Sequence, residues 1–262
     1  MILPYGEPLT LLFWRCLLTA VIMGLLCILA KAPWPRQRRA YLLAATIGIL
    51  VHGFFLGGSY FAIERGVNTG IVALIGGLQP LLTAAAAGPL LGERVSNRQW
   101  LGLVLGLGGV GLVVFGKIGF DTAGLAGTGF AVLSLLGITT GTLAQKRFAA
   151  RIDLRVNMTI QFSAAAVAAF ILAALTESMQ VDWGLEVSLI LAWMILVVSI
   201  AAFGLMFMLV KLNETSKVTS LFYLTPPLVS LWGFLLFNET LGLLAIAGMV
   251  VAALGVALVT RP

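Results

Sequence analysis

Long apolar blocks alternate with short polar breaks from one end of the sequence to the other. Nine blocks run over residues 8–30, 41–63, 70–92, 98–116, 124–145, 158–176, 187–209, 218–237 and 241–260. A helix needs about 20 apolar residues to cross a bilayer core, and each block meets or approaches that length. The breaks read KAPWPRQRR, ERGVN, ERVSNR, KIGFD, QKRFAARIDLR, ESMQVDWGLE, KLNETSK and NET. Pro33 and Pro35 forbid helix continuation through the first of them. An outer-membrane barrel would alternate apolar and polar residues in segments of about ten, whereas these blocks are continuous. The pattern predicts an all-α membrane protein with nine transmembrane helices. The opening MILPYGEP has no basic start, and the next block carries Arg15 without a clear cleavage site, so it is not read as a signal peptide.

The pattern also repeats. Residues 69–116 superimpose on 215–260 with a single offset of 146, which pairs Thr69 with Thr215, Pro80 with Pro226 and Glu93 with Glu239. Proline and glutamate are scarce here, so their register carries the comparison; an internal repeat of this kind precedes any other fold argument. The halves are residues 1–116 and 117–262. With nine alternating spans, the loop after the Pro80 span and the loop after the Pro226 span fall on opposite sides of the membrane. The repeats are therefore inverted, an arrangement typical of secondary transporters with a midplane site. The block at 124–145 has no counterpart, since subtracting 146 places one before residue 1. Four helices in the first repeat and five in the second imply a ten-helix plan whose first helix this chain lacks.

Composition and charge sharpen the picture. The sequence is 60% hydrophobic and 10% charged, against about 25% charged in soluble domains, and its mean hydropathy is +1.08. The net charge of +6 would suit nucleic acid, but its placement argues otherwise. Thirteen of the sixteen basic residues lie in loops on one side, Arg65 and Lys117 lie on the other, and Arg15 lies within a span. That asymmetry is the positive-inside signal. It puts the start of the chain outside, its end in the cytoplasm and the protein in the plasma (inner) membrane, and it leaves no role for nucleic acid. Cys16 and Cys27 share one span, eleven residues apart, and can neither bridge each other nor form a metal site.

The segments PYGEPLTLLFWR at 4–15, GLQPLLTA at 77–84, LGERVSNRQWLG at 91–102 and TPPLVSLWGFLLFNE at 225–239 resemble the EamA-type permeases of the drug/metabolite transporter superfamily, and the likeness extends over nearly the whole length. It implies two inverted five-helix repeats, alternating access and a small-molecule solute among amino acids, metabolites, sugars and drugs. The implied partners are that solute and the lipid bilayer, with a homodimer as candidate assembly and no cofactor.

Candidate chemistry is sparse. GLGGVG at 106–111 satisfies a dinucleotide pattern and GLVVFGKI at 111–118 approaches a P-loop, but neither has the strand-and-turn context that phosphate binding needs. The glycines fit close helix packing instead: Gly102 and Gly106, like Gly53 and Gly57, are four apart. Arg15 lies about two turns into its span. A charge in that position either snorkels to the interface or faces an interior; its repeat counterpart Gln161, also polar, favours the interior. His52, the only histidine, is a candidate proton carrier or a neutral bonding partner of a neighbouring helix. Gln79-Pro80 and Thr225-Pro226-Pro227 hold matching positions, where proline frees backbone carbonyls beside polar side chains. Tyr60 and Tyr223 complete the pathway set of Arg15, His52, Tyr60, Gln79, Gln161, Tyr223 and Thr225. Glu93 and Glu239 are read as helix-end contacts. The leading function is a secondary transporter working without ATP and without a catalytic or metal site. A lipid-modifying enzyme is the alternative of another class, opposed by the absence of a carboxylate in mid-span. A transport-incompetent fragment is the third.

Overall fold

The computed structural model describes residues 2–67, 69–115, 125–149, 152–213, 215–224, 228 and 243–260. Among them the chain is helical apart from loops and one isolated bridge, Gly6 to Val181. Five helices are long and apolar enough to cross a membrane: α1 (Pro8–Leu29), α2 (Arg38–Glu64), α6 (Leu125–Ala149), α7 (Leu154–Thr176) and α8 (Leu185–Leu212). The others are α3 (Thr69–Gly76), α4 (Gln79–Leu91), α5 (Asn97–Phe115), α9 (Thr215–Ser220), which continues into a 3-10 turn at Leu221–Leu224, and α10 (Leu243–Thr260). Outward positions on the long helices are apolar, with Leu42, Val167, Ile171, Leu189, Trp193 and Leu205 all exposed. Lipid requires such a surface and water disfavours it.

Two departures from the expected spans matter for the site. The block at 70–92 is not one helix. It breaks between α3 and α4 at Gly77 and Leu78, because Pro80 has no N–H to give the turn before it and is suited to the first turn of a new helix. In α2, Ile49–Gly57 is wound as π-helix, and in α8 so is Met194–Ala202. Adding 146 to 49–57 gives 195–203, one residue from the second stretch, so the unusual winding obeys the repeat.

The packing obeys it too. The most extensive helix contact joins α5 to α10, and another large one joins α1 to α7; both are pairs of repeat mates. At the first, backbone meets backbone. A Cβ built on Gly102 would stand 2.7 Å from the Gly255 carbonyl oxygen, and one on Gly109 would stand 2.7 Å from that of Gly248. The offset of 146 converts one contact into the other, since Gly102 maps to Gly248 and Gly109 to Gly255. This seam therefore lies on the pseudo-two-fold axis of the fold. The other glycine pair, Gly53 and Gly57, does not pack this way. A Cβ on Gly53 would touch only the Ile49 side chain of its own helix, and Gly57 faces the flexible end of Leu12. Neither position brings two helix backbones together. The tight approaches of α2 are at Gly48, against the Gln161 backbone, and at Gly58, where a Cβ would stand 2.8 Å from the Phe130 carbonyl oxygen, while Gly137 and Gly141 of α6 close on Leu50, Val51 and Phe54.

Polar groups at the helix ends tie the bundle together. Ser96 and Gln99 form a capping box at the start of α5, with Gln99 Oε1 accepting from Ser96 N at 2.8 Å and Ser96 Oγ from Gln99 N at 3.2 Å. Glu177, at the end of α7, accepts from Leu9 N and Thr10 N at 2.8 and 2.7 Å and so caps α1 from another helix. Glu7 returns the contact by accepting from Ser178 N at 2.7 Å. At the other end of the bundle, Lys146 donates to the Asn213 carbonyl at 2.7 Å and Arg147 to that of Leu90, covering the carbonyl ends of α8 and α4. Asp153 caps α7 through Arg155 N, and the Arg155 guanidinium holds its carboxyl below the usual range. Glu93 is a helix-end contact, as read. Its two oxygens accept from Thr215 N at 3.0 and 3.1 Å, and Oε1 from Thr215 Oγ1 at 3.0 Å. Glu239 lies outside the described residues. Glu177→Ala removes the acceptor from two amino-terminal N–H groups of α1 at once. We expect a loss of about 1–3 kcal/mol, read as a lower melting temperature in detergent, with Glu177→Gln intermediate.

Candidate functional site

A cavity of about 470 Å³ opens in the middle of the bundle, within the range of small-molecule pockets. Its wall draws on α1, α2, the α3–α4 break, α5, α6, α8 and the 3-10 turn. Three features of the local folding create it. The π turns of α2 and α8 place Phe55, Leu56, Val198 and Ala202 on the wall. The α3–α4 break leaves Gly76, Gly77 and Gln79 there. The 3-10 turn adds Phe222. Leu56 with Ala202, and Gly76 with Phe222, are repeat counterparts, so the cavity also straddles the pseudo-two-fold.

Arg15 is the single charged residue among its described lining residues. It sits roughly 10 Å along α1 at 1.5 Å per residue and is 2% exposed, so it does not snorkel. Its Nε donates to Ser199 Oγ at 2.9 Å and its Nη1 to the Tyr60 hydroxyl at 3.0 Å. Nη2 has no protein acceptor. Gln79, also on the wall, is 3% exposed, and its Nε2 is likewise without an acceptor. It is the first residue of α4, whose N-cap residue Leu78 offers no side-chain cap and whose first turn holds no acid. Ser59 and Ser134 meet at 2.8 Å between α2 and α6, and Ser134 Oγ donates to the Phe55 carbonyl.

Of the residues singled out in the sequence, Arg15 and Gln79 line the cavity and Tyr60 holds Arg15 from behind. The rest stand farther back. His52 is fully buried, stacked on Phe162 with centroids 3.8 Å apart, and faces Phe203 edge-on at 4.9 Å; neither ring nitrogen has a partner. Gln161 donates to Gln145 Oε1 at 2.8 Å, which also accepts from Asn157 Nδ2 at 3.0 Å. That trio knits α6 to α7. Tyr223 is buried with its ring over Gly106, where a Cβ would reach ring carbon Cε2 at 2.6 Å. Thr225, with Pro226 and Pro227, lies outside the described residues. Sequence reasoning missed Ser199, Ser59 and Ser134, because a lone serine in an apolar run gives no more signal than one bonded to its own helix. Gln145 was hidden by its place in a basic break.

No curated protein sequence matches this chain. One solved structure, described only as a crystal structure of a protein, aligns with a TM-score of 0.80 at 20% identity, over 97% of this chain and 89% of its own; it shows a shared fold. A sequence model of the EamA-like transporter family matches twice, over residues 1–115 and 125–261. These are the two repeats, and together they take in almost the whole chain. With its apolar helices and doubled architecture, the chain belongs to the EamA-like transporter family, as a multi-pass membrane transporter of the drug/metabolite superfamily.

Proposed function

We propose that the chain carries a small organic solute across the inner membrane by alternating access, with the central cavity as its binding site. The supporting observation is the placement of Arg15: an ionised residue, buried, on the wall of a cavity built from both repeats at their pseudo-two-fold. Charged residues at membrane depth face substrate pathways far more often than lipid. Arg15 and Gln79 touch the solute, and Tyr60 and Ser199 position the guanidinium. Neither glycine-rich pattern has the context that nucleotide binding needs, and solute or ion gradients drive the flux in this reading. The basic loops lie on the cytoplasmic side, which places residues 5–10 and 177–186 outside.

Gly76 offers a direct test. It lines the cavity, and a Cβ there would meet nothing within 4 Å, so a side chain can enter without disturbing the fold. Gly76→Ala should leave transport near wild type. Gly76→Trp should abolish the gene-dependent differences in solute levels between expressing and non-expressing cells, with the protein still present in the membrane. Undiminished differences in Gly76→Trp cells would remove the cavity from the pathway.

A further inference from the structure

The chemistry of the cavity wall is one-sided. Buried charges in proteins are usually paired, yet Arg15 is held by two neutral hydroxyls, those of Ser199 and Tyr60. No aspartate or glutamate is among the described lining residues. On the same cavity wall, Gln79 presents a second buried donor without an acceptor. Gln79 also opens α4, a helix of 13 residues with no cap and no acid at its start, whose amino end carries the positive pole of the helix dipole. Half-helix starts in broken membrane helices receive anionic groups for this reason. Three sources of positive potential therefore meet one cavity, and no anionic group among the described lining residues answers them. Ser59 and Ser134 are hydrogen-bonded to each other, and the rest of the described lining is glycine or apolar, with Phe55, Phe203, Met206 and Phe222 among it.

We infer that the solute is an amphipathic organic monoanion, with one carboxylate received by Arg15, Gln79 and the start of α4 and an apolar body held by the phenylalanines. This rests on the transport reading above and narrows it. A carboxylate accepts from a guanidinium and an amide together. An ammonium on the same molecule would find no carboxylate partner among the described lining residues, so a zwitterionic amino acid of the same shape is disfavoured. A neutral alcohol would leave the guanidinium unanswered.

Four probes with one phenylpropyl-type body separate these cases: 3-phenylpropionate, 3-phenylpropan-1-ol, 3-phenylpropylamine and phenylalanine. Binding to the purified full chain in detergent is read by calorimetry and thermal shift, with acetate as the headgroup alone. We expect 3-phenylpropionate to bind at least ten-fold more tightly than each of the others. In Arg15→Gln, acid and alcohol should bind alike. Gln79→Leu should weaken the acid several-fold without changing the alcohol, and it serves where Arg15→Gln does not yield folded protein. Tighter or equal binding of the alcohol, amine or amino acid overturns the inference, as does equal stabilisation by acetate or no binding by any probe. Flux into proteoliposomes separates this from the reading beneath it. A bound but untransported acid would sink the transport proposal and leave the anion site standing. Transport of the alcohol or amine in preference to the acid would do the reverse.

Discussion

Gly109→Leu is expected to leave almost no monodisperse protein after extraction, whereas Gly108→Leu, one residue away, behaves as wild type. A side chain at Gly109 runs into the backbone of Ala252 and the carbonyl oxygen of Gly248, while at Gly108 a Cβ meets nothing within 4 Å. Backbone cannot turn aside as a side chain can, so α5 and α10 must separate along their length. Overpacking a core against movable side chains costs about 1–3 kcal/mol; forcing apart a backbone seam should exceed that. In lipid, the attraction between two helices comes from close van der Waals packing, and separation forfeits it. The measurement is the melting temperature together with the size-exclusion profile. Gly255→Leu serves as the symmetry control. Its Cβ would stand 2.6 Å from the Gly102 carbonyl oxygen, and it should fail to the same degree. A well-behaved Gly109→Leu protein would show that the seam does not hold the two repeats together.

The second large effect is on function, and its sign is opposite for stability. Arg15→Gln should lower transport at least 100-fold, about 2.7 kcal/mol, because the charge that answers the solute is gone. The same change removes an ionised group that costs roughly 2.5–3.5 kcal/mol in mid-membrane. Only two hydroxyl partners are lost, Ser199 and Tyr60. The protein should therefore reach the membrane and melt at an equal or higher temperature, the signature of a residue kept for activity at the expense of stability. Arg15→Lys retains charge but loses the planar fork that engages Ser199 and Tyr60 together, and should keep a small fraction of activity. Wild-type transport by Arg15→Gln would take Arg15 out of the pathway. Reduced transport with a lower melting temperature would make it a structural residue.

The order of the spans could be read from hydrophobic blocks because lipid imposes length and polarity with little ambiguity. The repeat register was legible from Pro80 and Glu93, and the same offset relates α5 to α10 and the two π stretches. The winding of those stretches could not be read. Ile49–Gly57 and Met194–Ala202 each hold a single polar side chain, His52 and Ser199, too few to mark a change from α to π period. Gly53 and Gly57 resemble a packing pair in the sequence, whereas in the structure a Cβ at either would meet only side chains. Pro80 is legible as a disruption of the 70–92 block, but the sequence does not say that one helix ends before it and another begins with it. Arg15 stood out in the sequence because charge in an apolar run has few explanations. The serines around it did not, because their importance comes from the residue they meet and not from their own kind.

The buried, unneutralised guanidinium has a consequence for how voltage acts on the cycle. With a monoanion seated, the occupied carrier holds no net charge at its centre; after release it holds one. A membrane potential works on charge at about 2.3 kcal/mol per 100 mV for a full crossing, and on a part of that for a partial one. The electric field would then pull on the empty carrier as it resets and leave the loaded carrier nearly untouched. Capacitive currents from protein without solute, suppressed when solute saturates it, would be the electrical trace of that asymmetry.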